Sequence, residues 1–128
     1  MLRPQIILLD EPTAGLDFAG ICAMLGLLKK LYQEGTTLVI STHDTDLAYE
    51  WASEAWVLGQ GRLAARGPIG QVMRDRVTLH EAHLKVPSLV ELGLAIGEIY
   101  PQLGAQPLPR TQEGLIQLIQ QTRLVSAA

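Results

Sequence analysis

The chain has 128 residues, 48% hydrophobic and 18% charged, with a formal net charge of −3 and a single cysteine, Cys22. Length and apolar content fit one globular domain and exclude a disordered polyelectrolyte, and the acidic balance excludes nucleic-acid binding through a basic face. One cysteine excludes an internal disulfide framework and fits a reducing cytoplasm; no apolar run approaches the ~18–20 residues that span a bilayer, so any membrane role falls to a partner.

Met1-Leu2-Arg3-Pro4 lacks the charged-then-apolar layout of a secretory leader. The apolar run Ile6-Ile7-Leu8-Leu9 enters Asp10-Glu11-Pro12-Thr13-Ala14-Gly15-Leu16-Asp17. A run of this length bounded by turn residues predicts a strand buried on both faces, as in a parallel sheet. Its carboxyl end, where open α/β sheets bind ligands, then carries Asp10 and Glu11. Two adjacent carboxylates there suit one to hold Mg²⁺ and the other to contact a reacting water.

Asp17 is placed to cap a helix over about residues 18–33, whose Ile21, Met24, Leu25, Leu28, Leu31 and Tyr32 fall at helical spacing and which Gly35 ends. Thr37 to Ser41 predicts a second buried strand, completing a right-handed parallel βαβ unit. Thr42-His43-Asp44 follows, then a short helix over 45–53 capped by Asp44. Ala55 to Leu58 and Arg62 to Arg66 flank Gly59-Gln60-Gly61 as a hairpin that Gly67-Pro68 stops, with a short helix over 69–74 beyond it. Ser88 to Ile99 and Thr111 to Val125 read as amphipathic helices joined by the Pro/Gly-rich stretch from Tyr100 to Pro109. The chain thus divides into a βα part, 1–77, and a helical extension, 78–128.

The string Asp10-Glu11-Pro12-Thr13-Ala14-Gly15-Leu16-Asp17 after its apolar run resembles the Walker B strand and D-loop of an ATP-binding-cassette (ABC) ATPase. Ser41-Thr42-His43-Asp44 resembles the switch-histidine segment of the same family. Glu34 to Asp44, the Gly61-Arg62-Leu63 turn and, more loosely, Leu79 to Pro87 resemble the cobalt/nickel and energy-coupling-factor importers. The resemblance implies an α/β fold of the P-loop NTPase kind: parallel strands flanked by helices, here incomplete, plus a C-terminal helical extension able to serve dimerisation. It implies ATP and Mg²⁺ as cofactors, with Asp10 the Mg²⁺ contact, Glu11 the residue that polarises the attacking water, and His43 the contact to γ-phosphate and water. It implies that Asp17 addresses the opposite subunit of a nucleotide-sandwich dimer, besides capping its helix. Partners would be a homologous ATPase subunit and membrane-embedded transporter subunits, with no nucleic acid, and the location cytoplasmic, peripheral on the inner face of the membrane.

The sequence also departs from the family pattern. These 128 residues contain no G-x-x-x-x-G-K-[ST] loop and no Leu-Ser-Gly-Gly-Gln signature. Without that loop's N–H cradle and lysine, Asp10, Glu11 and His43 present two negative charges to a polyanion. The expectation is a chain inactive alone, with Met1 an internal methionine of a longer ancestral ATPase. Alternatives are another ABC-type ATPase or a non-catalytic interaction module. His80-Glu81-Ala82-His83 lacks a second ligand cluster and the zinc-protease spacing, so a solvent-facing helical segment is expected. Trp51, Trp56 and the methionines are expected to pack.

Overall fold

The computed structural model describes residues 5–104 and 107–126. Met1 to Pro4, read above for a leader, and two residues of the Pro/Gly-rich stretch lie outside them. The chain forms two compact units, 1–43 and 44–128.

In the first unit, β1 (Ile6–Asp10) and β2 (Thr37–Ser41) bracket α1 (Phe18–Gln33). The strands pair in parallel, with Ile6 opposite Thr37 and Asp10 opposite Ser41, as the βαβ reading requires. Asp17 caps α1 by accepting the Gly20 N–H at 2.8 Å, offsetting one of the unpaired donors at a helix start. At the other end Gly35 takes φ +95°, the left-handed turn that glycine enters without a Cβ clash. One expectation is corrected. Ile7, Leu9, Leu38 and Ile40 are half-buried, but Ile6, Leu8 and Val39 on the alternate face are 61%, 75% and 50% exposed. Side chains alternate across a strand, and the unit supplies one helix for a two-stranded sheet, so one face goes uncovered.

The second unit runs α2 (Thr45–Trp51), β3 (Glu54–Gly59), β4 (Arg62–Pro68), α3 (Ile69–Val72), α4 (Arg76–Glu81), α5 (Ser88–Ile99), α6 (Pro101–Gly104) and α7 (Gln112–Ser126). β3 and β4 form an antiparallel pair, a sheet separate from β1–β2. Gly59 pairs with Arg62 across the two-residue turn Gln60-Gly61, whose φ values of +50° and +74° match the twist of a tight hairpin. β4 continues past the expected stop, because Gly67 takes φ +154° and Pro68 occupies the last ladder position, opposite Glu54. α2 ends at Trp51, earlier than expected, where Ala52 turns to extended backbone at ψ 147°. α3 is likewise shorter than the 69–74 expected, since Asp75 opens α4 by accepting the Thr78 N–H at 3.1 Å.

The core of this unit joins Tyr49, Val57, Ile69, Val72, Met73, Leu79 and Val90. Met73 packs as expected, but the tryptophans do not: Trp51 lies exposed and Trp56 is 60% exposed. Arg66 stacks on the Trp56 ring at 4.7 Å from the centroid, and Glu54 accepts from the indole N–H at 2.7 Å, so polar neighbours on the hairpin's outer face partner it instead of the core. α2 is tied at both ends. Asp46 accepts the Ser88 N–H at 2.6 Å and pairs with Lys85 Nζ at 2.8 Å. Arg110 donates to the carbonyls of Tyr49 (2.9 Å), Glu50 (3.2 Å) and Ala52, while the Tyr49 hydroxyl donates to the Leu108 carbonyl at 3.2 Å.

Candidate functional site

The parallel register carries the carboxyl ends of β1 and β2 side by side, so that consecutive carboxylates on one strand meet consecutive polar residues after the other. Asp10 lies opposite Ser41, and the Ser41 hydroxyl donates to Asp10 Oδ1. The Glu11 N–H continues the ladder by donating to the Ser41 carbonyl at 2.8 Å. Glu11 then leaves the strand with φ +45°, a left-handed conformation that costs a residue with a Cβ roughly 1–2 kcal/mol. Such outliers persist where surrounding bonds hold them and cluster at functional sites.

Those bonds are visible. Glu11 Oε1 accepts the His43 backbone N–H at 3.1 Å and lies 2.6 Å from His43 Nδ1. Glu11 Oε2 accepts the Thr42 hydroxyl at 3.2 Å. The ring contact requires a proton on Nδ1, so Nε2 accepts from a water when the ring is neutral and donates to a substrate oxygen only when both nitrogens carry protons. The His43 side chain is 85% exposed and that of Glu11 is 32% exposed, so the pair is open to an arriving ligand.

Of the residues singled out in the sequence, Asp10, Glu11 and His43 thus share the carboxyl end of one parallel pair. Asp17 sits seven positions after Asp10, at the N-cap of α1, its Oδ1 occupied by the Gly20 N–H. His80 and His83 are exposed as expected, but the helix ends at Glu81 and His83 turns out of it with φ +59°. The sequence reading missed Ser41 and Thr42 as members of the site. Their signal was two hydroxyls directly before the histidine, but only the strand register shows which carboxylate each one meets.

A single strand-end carboxylate, with one oxygen fixed by a hydroxyl, fits Mg²⁺, which takes few protein ligands beside substrate phosphates. Among the described residues no group of three or more His, Cys, Asp or Glu side chains forms an all-protein cage. An ion bound there would take most of its ligands from phosphate oxygens and water.

No family model matches the chain. Curated relatives do. The cobalt import ATP-binding protein CbiO of Rhodobacter capsulatus is 42% identical over 114 residues, 89% of this chain and 41% of the relative. The energy-coupling factor transporter ATP-binding protein EcfA2 of Methanospirillum hungatei is 37% identical over 119 residues, 93% of this chain and 30% of the relative. Among solved structures, cbiO1 of Clostridium perfringens, described as part of the ABC transporter complex cbiONQ, matches with 31% identity and a TM-score of 0.49 over 70% of this chain and 36% of that one. The chain spans about two-fifths or less of the length of these relatives. With identity at this level across most of its residues, the chain is homologous to a part of the ATP-binding subunits of ABC transporters.

Proposed function

We propose that the chain carries the water-activating part of an ATP-hydrolysing site in an importer subunit that energises uptake of cobalt, nickel or a vitamin. The observation that supports this most is Glu11, held in a left-handed conformation with its carboxylate against His43 at the end of a parallel strand pair.

In this reading Glu11 accepts the proton of the attacking water, and His43, donating to Glu11 from Nδ1, contacts the γ-phosphate through an Nε2–H when the ring is doubly protonated. Phosphoryl transfer depends on positioning and charge stabilisation more than on covalent chemistry by the protein. A carboxylate clamped from two sides meets that need. Asp10 holds Mg²⁺, which when bound neutralises charge on the phosphate oxygens. Asp17, anchored at the start of α1, addresses the opposite subunit of an ATPase dimer.

The ATPase motifs lie within residues 1–77 and the helices of 78–128 serve dimerisation, with Leu79 and Val90 of the latter sharing one core with Val57 and Met73. Because no phosphate-binding loop occurs in these 128 residues, the chain alone does not turn over ATP, and the loop is supplied in the complete ATPase. No helix among the described residues is long and apolar enough to cross a membrane; membrane-embedded partner subunits hold the protein at the inner face of the membrane.

Calorimetry with Mg-ATP and a hydrolysis assay test this, on the full chain alone and co-expressed with the part of a full-length relative that bears the phosphate-binding loop. We expect no binding by the chain alone, hydrolysis by the pair, and loss of that hydrolysis with Glu11→Gln. Hydrolysis unchanged by Glu11→Gln, or a pair that assembles but neither binds nor hydrolyses Mg-ATP, rejects the ATPase reading; the latter result favours an interaction module.

A further inference from the structure

Ser41 and Thr42 sit where a carboxylate at each of two adjacent positions needs one fixed oxygen. The β1–β2 register sets Asp10 opposite Ser41, and the ladder bond from the Glu11 N–H to the Ser41 carbonyl, 2.8 Å, locks that register one step further. The strand pairing ends there, and Thr42 meets Glu11 through side chains alone. The Ser41 hydroxyl donates to Asp10 Oδ1 and the Thr42 hydroxyl to Glu11 Oε2 at 3.2 Å.

We infer that Ser41 and Thr42 are positioning residues: the Ser41 hydroxyl fixes Asp10 Oδ1 and leaves Oδ2 to the ligand, and the Thr42 hydroxyl holds Glu11 Oε2 while Oε1 rests on the His43 backbone N–H. The assignment rests on the ATPase reading of Asp10 and Glu11 and adds to it how the two are oriented.

The two partners of Glu11 differ in kind. Thr42 is half-buried, and its short side chain lies close to the strand, so its bond is a fixed one. His43 reaches Oε1 twice, through its backbone N–H at 3.1 Å and through a ring that is 85% exposed; the ring contact can exchange for water or a phosphate oxygen while the backbone N–H keeps Oε1 and Thr42 keeps Oε2. Glu11 at φ +45° has left the sheet and has no further ladder bond to aim its side chain. The Thr42 hydroxyl and the His43 backbone N–H together supply that aim. Ser41 acts the same way on Asp10, leaving Oδ2 as the oxygen that can turn towards a cation.

The test uses the full chain and reads two sites by nuclear magnetic resonance: the carboxylate carbon of Asp10, and the carboxylate carbon of Glu11 with the water-exchange rate of the His43 amide, which that carboxylate accepts. Thr42→Val, which keeps the shape and removes the hydroxyl, raises the His43 amide exchange about tenfold and moves the Glu11 signal, leaving Asp10 where it was. Thr42→Ser restores both to within about twofold of the parent. Ser41→Ala moves the Asp10 signal and leaves the His43 amide alone. In the assembled ATPase, Thr42→Val lowers kcat about tenfold with KM held within about twofold, because a displaced base slows the chemical step more than binding. The inference is overturned if either variant leaves its own carboxylate unmoved, or if Thr42→Ser fails to restore what Thr42→Val lost. An assembled enzyme indifferent to Glu11→Gln sinks the ATPase reading instead, and the carboxylate signals still decide the role of the hydroxyls.

Discussion

Replacing Arg110 with alanine tests the tie between the segment before α7 and the end of α2. The last carbonyls of a helix have no partner within it. In α2 those of Tyr49 and Glu50, with that of Ala52 just beyond, accept from the Arg110 guanidinium. The cation also sits at the negative end of the helix dipole. Hydrogen bonds to a charged group contribute about 1.5–3 kcal/mol each when buried. Two of these three lie at the exposed surface and one is part-buried, so solvent screening reduces the sum. About 2 kcal/mol for the whole fork is the consistent figure. For a domain of this size that corresponds to a fall in Tm of roughly 8 °C, measured by circular dichroism or calorimetry on the full chain. Arg110→Lys keeps the charge and loses the planar fork, so it should recover less than half of the loss. A Tm for Arg110→Ala within about 1 °C of the parent, or full recovery by lysine, would refute the argument that the fork ties the two segments.

Three further outcomes follow from the packing and the charges. Leu79 is fully buried in the second unit, so Leu79→Ala should cost about 2–5 kcal/mol through lost burial and a residual cavity, read as a lower urea midpoint at unchanged m-value. Gln60 holds φ +50° in the first position of the hairpin turn, and Gln60→Asn, which tolerates that conformation better, should raise the urea midpoint by the equivalent of about 0.5–1 kcal/mol. Asp46 titrates below its ordinary 3.8: burial raises its pKa, but the Lys85 hydrogen bond, the Ser88 N–H and the Lys85 charge together outweigh that. A carboxyl depressed in the folded state adds stability above its unfolded pKa, and that contribution is lost as pH falls through the lower folded value. Asp46→Asn should therefore flatten the stability profile below about pH 4, and an acid limb as steep as the parent's would count against the tie to Lys85 and Ser88.

The elements that sequence made legible are those with local causes. Asp17 and Asp44 read as helix caps because an aspartate before an apolar-periodic stretch has a donor waiting for it, and both caps are present. The βαβ unit read correctly because the run lengths and Gly35 allow little else. Asp10, Glu11 and His43 could be placed together because two short strands with a crossover helix must lie parallel. What stayed hidden depends on neighbours. An apolar run cannot say how many layers will cover it, which is why the exposure of Ile6, Leu8 and Val39 went unread. Trp56 read as core because its own sequence neighbours are apolar, while Arg66, which stacks on it, comes from the opposite strand. Ser41 and Thr42 read as strand-end residues until the register gave each a carboxylate.

The uncovered face of the first sheet bears on the lifetime of the chain in a cell. A stripe of isoleucine, leucine and valine on a strand pair with unpaired edges is what chaperones and proteases meet in incompletely folded protein. Ile6, Leu8 and Val39, exposed as they are in these residues, should therefore shorten the half-life of the chain expressed alone, and a pulse-chase measurement in which a partner covering that face lengthens the half-life more than Gln60→Asn does would bear this out.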